Sequence, residues 1–235
     1  VGIKTRRRTQ SCAMNQYVVL VAGGSGTRMQ NAIPKQFLEF NGKSILHHSI
    51  ERFYNFNNDI KIILVLAKES HDYWNDLIKK NPLPCKVTLT IGGQTRSDST
   101  RAGLELVPEK CIVAIHDAVR PLISNELLDR CFKGAEENGN ACPCISTSDS
   151  LRMMKNGQTL SVDRSLYYQV QTPQCFQSDL LKAAFAKTTR NTFTDEISLF
   201  EDAGHEIHLV EGERWNIKIT YPQDLLVAEA LSQNL

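Results

Sequence analysis

Two cations stand just beyond a glycine-rich turn near the start of this chain. Arg28 and Lys35 follow Ala22-Gly23-Gly24-Ser25-Gly26. Glycines let backbone N–H groups close around phosphate oxygens, because no Cβ blocks the approach. With two positive side chains in the same loop, the combination suits a polyphosphate. Two familiar loops are excluded. A Walker A loop needs Lys-Ser or Lys-Thr after its glycines, and none is present. The dinucleotide fingerprint starting at Gly24 and Gly26 has Met29 where its third glycine belongs. The plain alternative is a glycine turn between a strand and a helix. Against it, one short loop holds the glycines, Arg28 and Pro34-Lys35-Gln36 together.

Further polar residues with chemical capacity come later in the chain. Asp117, after His116, suits a carboxylate that binds a hydroxyl or works with magnesium, which needs few protein ligands when it also holds phosphates. Arg120 either pairs with Asp117 inside its loop or reaches a substrate. His116 reads as structural, its ring hydrogen-bonding the backbone before a turn.

These residues must be positioned by elements. Val18 to Val21 form a buried strand, and KIILVLA (61–67), VTLTIGG (87–93), CIVAIHDAVRP (111–121) and ACPCIST (141–147) read as further strands. Helical spacing is expected from Ile45 to Phe53, over 71–80 after Ser70, from Arg96 to Val107, and from Ser124 as cap to Asn138. Two more helices are expected near 178–188 and 194–203, and IHLVEG and NIKIT as last strands before a final helix at Pro222. Alternating strands and helices predict an α/β fold, Rossmann-like, with a mostly parallel sheet and helices on both faces. The strand ends carry Gly23–Arg28, Gly92–Arg96, His116–Arg120, Thr172 and Lys218. Ligands of open α/β sheets bind outside the carboxyl ends of the strands, so these loops can converge on one cleft. The polar segment 148–166 differs. It flanks Asn156-Gly157, a strong hairpin signal, and predicts a projecting β-hairpin arm over about 146–168. Two strands alone are marginal in water, so the arm should pack on something, most simply the same arm of a second subunit.

At 235 residues, 41% hydrophobic and 23% charged, the chain fits one globular domain, expected over 14–235. Residues 1–13, with Lys4, Arg6, Arg7 and Arg8, read as a disordered extension or tag without the apolar core of a secretory signal. A net charge of +1 excludes a general polyanion-binding surface, so phosphate affinity must be local. No nucleic-acid partner is expected. No apolar run approaches about 18 residues, so no membrane partner is expected either. The seven cysteines are odd in number and scattered. They show no zinc spacing and suit reduced thiols in a cytoplasmic protein.

The glycine loop resembles the signature of sugar-nucleotide pyrophosphorylase-type nucleotidyltransferases. More closely, the chain is similar to the 2-C-methyl-D-erythritol 4-phosphate cytidylyltransferase family. GGQTRSDST, HDAVRP, VDRSLYYQVQTPQ, TDEISLFEDAG and VEGERWNIKIT fall in that family's order and spacing, over roughly 16–233. The resemblance implies magnesium-dependent transfer of CMP from CTP to a polyol phosphate, with pyrophosphate released, by an arm-mediated homodimer. No covalent nucleophile is needed for such a reaction, because positioning and cations carry it. Arg28 and Lys35 are then expected at the α-phosphate. Ala22, Gly23, Gly24, Gly26, Gly93, Arg96 and Ser99 are expected around the nucleotide, with a helix N-cap as the rival role for Ser97 or Ser99. Arg164 and Lys218 are expected to hold the acceptor phosphate. Ser150, Thr172 and Thr194 are expected as hydroxyl ligands, with Ser150 standing where the family usually has threonine. Asp117 and Arg120 are expected at the substrate, Asp117 also as the metal carboxylate. Exchanged arms would bring Ser150 and Arg164 to the partner's site. The acceptor is expected to be methylerythritol phosphate, with ribitol 5-phosphate as the alternative. An NAD-dependent oxidoreductase is disfavoured by the missing third glycine, and a non-catalytic nucleotide-binding regulator by the retention of both cation pairs.

Overall fold

The run Gln16–Ala22 forms β1 and has parallel neighbours on both sides, which leaves Val18, Val19 and Leu20 without solvent exposure. A strand covered on both faces needs a continuous apolar run rather than alternation, and VVLV supplies one. The structure, a computed structural model, describes residues 14–23, 33–188, 190 and 193–233. The expectations for the extension 1–13 and for Gly24, Gly26 and Arg28 lie outside those residues.

A 3₁₀ turn, Lys35–Phe37, follows the glycine loop. Then come β2 (Glu39–Phe40), β3 (Lys43–Ser44), α1 (Ile45–Phe56), β4 (Lys61–Leu66), α2 (His71–Lys80), β5 (Val87–Ile91), α3 (Arg96–Leu104), β6 (Ile112–Asp117), α4 (Asn125–Asn138) and β7 (Asn140–Ser146). The rest are β8 (Arg152–Lys155), β9 (Gln158–Ser161), β10 (Tyr168–Val170), β11 (Gln174–Gln177), α5 (Ser178–Lys187), α6 (Glu196–Asp202), β12 (Leu209–Glu211) and α7 (Pro222–Ser232). The main sheet runs β10-β7-β11-β6-β1-β4-β5, with β12 also on β7. The β6-β1-β4-β5 half is parallel, and β11 enters antiparallel between β6 and β7.

The parallel strands feed two cores by strict alternation. Val18, Leu20, Ile62, Leu64, Ile112 and Ala114 face one layer, with α1, α2 and α4 over them. Val19, Ile63, Val65, Val113 and Ile115 face the other, under α3, α5 and α6. The expectation of helices on both faces therefore holds. Helix α3 lies unusually close to the sheet. A Cβ on Gly103 would meet Val19 Cγ1 at 2.4 Å and Val65 Cγ2 at 2.9 Å. That glycine lets the helix drop onto β1 and β4, which sets its first turn beside the carboxyl end of β1.

Several elements differ from expectation. NIKIT is irregular rather than a strand. It has no strand partner among the described residues, and a backbone bond from Ile219 N–H to Val119 C=O (2.9 Å), with Arg120 Nη1 on Asn216 C=O, ties it to the loop after β6. The last strand, β12, is only three residues long. Helix α3 ends at Leu104 rather than Val107. Its N-cap is Thr95, whose hydroxyl accepts from Asp98 N–H at 3.0 Å while Asp98 reaches back to Thr95 N–H at 3.0 Å. Neither Ser97 nor Ser99 caps it. Ser70 stands at the N-cap of α2 without a capping bond from its side chain.

The arm forms as expected. β8 and β9 pair only with each other, every residue of both is exposed, and Asn156 and Gly157 turn the chain with φ of 51° and 76°. Positive φ at both central residues is what an Asn-Gly hairpin turn provides. No helix among the described residues is long and apolar enough to cross a membrane.

Candidate active site

A cleft of about 390 Å³ opens where β1, β5 and β6 end. Strand order reverses here: from β1 the sheet extends to β4 and β5 on one side and to β6 on the other, the usual place for a ligand in this architecture. Ala22 and Gly23 end β1 and line the cleft; Gly93, Gln94, Thr95, Arg96 and Ser99 come from the β5–α3 loop and the first turn of α3. Asp117 ends β6 and Val119 lies in the loop after it, while Lys35 and Gln36 come from the 3₁₀ turn and Lys218 from the last irregular segment. A Cβ on Gly93 would stand 2.3 Å from Asp98 Cβ. The capping box of α3 thus requires that glycine, whatever ligand it also admits.

Asp117 is the electrostatic centre. Its Oδ2 accepts from Lys218 Nζ at 2.8 Å, its Oδ1 accepts from Arg96 Nε at 3.2 Å, and Arg120 Nε lies 3.6 Å from Oδ2. Burial alone would raise the Asp117 pKa, but Arg96, Lys218 and Arg120 overcome it and hold the carboxyl well below the usual range. Arg96 carries a second acid: its Nη1 donates to both oxygens of Glu196 at 2.7 Å. Burial would lower the Arg96 pKa, and Glu196 and then Asp117 more than reverse that. Both groups stay charged throughout the working pH range.

His116 underpins the same loop from inside. Its Nε2 lies 3.0 Å from Arg120 C=O and its Nδ1 3.1 Å from Thr172 Oγ1, which also accepts from Asp117 N–H at 3.1 Å. These partners fix the neutral tautomer: Nε2 donates to the carbonyl, and Nδ1 accepts the Thr172 proton. Burial, foremost, lowers its pKa to about 4. The reading of His116 as structural agrees with this geometry.

The expected site residues divide. Lys35, Ala22, Gly23, Gly93, Arg96, Ser99, Asp117 and Lys218 converge on the cleft. Lys35 Nζ donates to Ile219 C=O at 3.4 Å. Ser99 donates its proton to Thr95 C=O at 3.0 Å, so toward a cytosine it offers an acceptor rather than a donor. Thr172 is buried with its hydroxyl engaged on both sides, where it supports the Asp117 loop. Arg120 faces Asp117 within its own loop, Nε 3.6 Å from Oδ2, and its Nη1 donates to Asn216 C=O at 2.7 Å. Thr194 lines a separate shallow hollow with Arg190 and Ser198. Ser150 and Arg164 are exposed on the arm, where Arg164 Nη1 donates to Ser148 C=O, and neither lines the cleft of its own chain.

The donor set does not fit a protein-held metal. Among the described residues no three His, Cys, Asp or Glu side chains stand together to hold an ion. Both Asp117 oxygens already face cations, so a divalent ion there would meet three positive charges and compete with them for the remaining lone pairs of the carboxylate.

Sequence reasoning passed over three contributors. Gln36 is 1% exposed and donates to Ala22 C=O at 3.0 Å, pinning the end of β1. Gln174 accepts from both Glu196 N–H and Ile197 N–H at 3.1 Å, holding the start of α6. Glu196 is 1% exposed. Its signal was an acid just ahead of the apolar run Ile197, Leu199, Phe200, on the first turn of a helix whose other face is core.

An α/β sheet with a cation-rimmed cleft at its switch point suits a nucleotide-binding transferase of the nucleotidyltransferase class. The particular family follows from comparison. The sequence profile described as IspD: 2-C-methyl-D-erythritol 4-phosphate cytidylyltransferase matches residues 16–234, and the chain belongs to that family. Its relatives include the 2-C-methyl-D-erythritol 4-phosphate cytidylyltransferases of Azobacteroides pseudotrichonymphae, 45% identical over 92% of this chain and 98% of the relative, and of Bacteroides fragilis, 42% identical over 93% and 100%. Among solved structures, the Thermus thermophilus cytidylyltransferase superposes with a TM-score of 0.75 at 30% identity, covering 94% of this chain and 99% of that one. The Anaerococcus prevotii 4-diphosphocytidyl-2C-methyl-D-erythritol synthase superposes with 0.79 at 27%, over the same shares.

Proposed function

We propose that this chain transfers CMP from CTP to 2-C-methyl-D-erythritol 4-phosphate. The products are 4-diphosphocytidyl-2-C-methyl-D-erythritol and pyrophosphate, in non-mevalonate isoprenoid precursor synthesis. The family match across 16–234 carries the reading, and the cleft's residues suit the chemistry. A phosphate oxygen of the acceptor attacks the α-phosphorus of CTP. The bond from that phosphorus to the bridging oxygen breaks, and pyrophosphate leaves with the electron pair. Anions meet in this step, so cations aimed at the growing charge are the main resource. Lys35, anchored on Ile219 C=O, is the described residue suited to the α-phosphate, with Arg28 beside it in sequence. Lys218, next to that anchor and paired with Asp117, suits the acceptor. A divalent ion such as Mg²⁺ would enter with CTP as its triphosphate complex and would offset charge on the leaving pyrophosphate.

The working unit of this proposal is a homodimer. Met153 faces Leu160 across the hairpin, and these two with Met154, Leu166, Tyr167 and Tyr168 are exposed apolar side chains gathered on the arm. So much apolar area on an isolated two-stranded arm marks an association surface. Arg164 and Ser150, remote from their own cleft, would then serve the partner's. A cytoplasmic setting suits the six described cysteines, all free thiols. The test is pyrophosphate release with CTP and Mg²⁺ on methylerythritol phosphate, ribitol phosphate and no acceptor. Release with the first alone is expected; release with ribitol phosphate instead would overturn the acceptor, and silence across the panel would overturn the transferase reading.

A further inference from the structure

Glu196 opens α6, and its carboxylate is buried between two partners. Both oxygens accept from Arg96 Nη1 at 2.7 Å, and Oε1 also accepts from Thr100 Oγ1 at 2.7 Å. A buried carboxylate is costly unless it is paired and hydrogen-bonded. The pairing shows how Glu196 persists but not what it is for. Ile197, Leu199 and Phe200 already seat α6 in the core, so the helix needs no ion pair to dock.

Arg96 shows its use. One edge of the guanidinium is held by Glu196, while Nε reaches Asp117 at 3.2 Å at the cleft. Arg96 thus bridges α6 to the carboxylate that organises the site. Glu196 is also two residues from Thr194, on the expected acceptor side, while Arg96 ends the Gly93–Arg96 loop on the expected nucleotide side. We propose that Glu196 is a positioning residue for nucleotidyl transfer: by holding Arg96 it keeps the guanidinium on Asp117 and off the triphosphate, and it joins the acceptor segment to the nucleotide loop. This rests on the cytidylyltransferase reading. Without the Glu196 charge, Arg96 is drawn to the most negative neighbour, which is bound CTP. Asp117 then loses one of its three cations and its fixed direction.

The experiment uses the full chain with CTP, Mg²⁺ and methylerythritol phosphate. Glu196→Gln keeps the shape and still accepts from Thr100, but removes the charge. The expected signature is a split: kcat falls about tenfold to a hundredfold, as for a misplaced catalytic group, while CTP binds about twofold to fivefold more tightly, as one freed charge would give. A merely structural role would weaken both together. A cycle with Asp117→Asn adds a second readout. Glu196 and Asp117 do not touch, so if the effect passes through Arg96 their losses in kcat/KM are non-additive. Additive losses, or full kcat per folded molecule in Glu196→Gln, would overturn the proposal. Should Glu196→Gln fail to fold, Thr100→Val loosens the same carboxylate while preserving bulk. A several-fold loss in kcat with CTP affinity kept is expected, and unchanged kcat would overturn it. If the wild-type chain releases no pyrophosphate, the functional reading falls by itself. CTP affinity then decides Glu196, where tighter binding in Glu196→Gln supports the proposal and unchanged or weaker binding removes it.

Discussion

Acidification should destabilise this protein through His116 well before Asp117 titrates. The ring is fully buried, stacked edge-on to Phe53 at 5.1 Å, and neutral, with Nε2 donating to Arg120 C=O and Nδ1 accepting from Thr172. Protonation would place a charge in the core and put an N–H where Nδ1 now accepts. Burial lowers the folded pKa to about 4 from the usual 6.5. Between those values the unfolded chain binds more protons than the folded one, so stability rises with pH and is lost as pH falls through the window. The full difference amounts to about 3 kcal/mol at about 1.4 kcal/mol per pH unit, and about 2 kcal/mol of it is lost between pH 7 and pH 5. Burial also lowers the pKa values of His47 and His48, and they add slope of the same sign. The assay is therefore a difference. Urea unfolding at pH 7 and pH 5 is compared between wild type and His116→Gln, whose amide can still donate to Arg120 C=O. The variant should show a pH dependence smaller by about 2 kcal/mol, whatever its absolute stability. Equal pH dependence in the two proteins would refute the buried, neutral assignment. Asp117 does not confuse the measurement. Its depressed pKa makes its contribution present above the usual carboxylate range and lost only at much lower pH.

Three further outcomes are expected. Lys35→Ala should lower kcat about a hundredfold or more while weakening CTP binding far less, the mark of a transition-state contact; equal losses in steady-state kinetics and CTP titration would remove that role. Arg164→Ala should raise KM for the acceptor and spare CTP. Mixed with Lys35→Ala, it should regain activity in heterodimers that pair one intact cleft with one intact arm, and no recovery on mixing would refute arm exchange. Gly103→Ala should cost about 1–3 kcal/mol in urea unfolding, because its Cβ would overlap Val19 and Val65; an unchanged midpoint would show that α3 can lift from the sheet without penalty.

What was legible in the sequence were features with a local cause. The apolar runs at 18–21 and 61–67 read as buried strands because both faces are covered. Asn156-Gly157 read as a hairpin because few other pairs accept two positive φ angles. The same dipeptide at Asn41-Gly42, with φ of 49° and 74°, turns the β2–β3 hairpin and was passed over, since each flanking strand is only two residues long. NIKIT misled for the opposite reason. Its alternation is strand-like, but Val119 C=O takes Ile219 N–H and Arg120 takes the Asn216 carbonyl. The segment is used up by the loop after β6 before any ladder can form.

The site was legible as a set of residues but not as a circuit. Lys35, Asp117, Arg96 and Lys218 each stood out by type and by place at a strand end, and the cleft gathers all four. Beyond the nearby Arg120, their pairing did not show, because Arg96 and Lys218 lie 21 and 101 residues from Asp117 and Glu196 meets Arg96 across 100. No spacing rule reaches that far. The pairing changes roles as well as contacts. With Lys218, Arg96 and Arg120 on it, the Asp117 carboxylate gathers three cations and directs them at the cleft. Packed cations repel, and they would otherwise turn outward to water. A central acid lets the site hold positive charge in advance of CTP, so the reorganisation that charge stabilisation would require is made during folding rather than during the reaction.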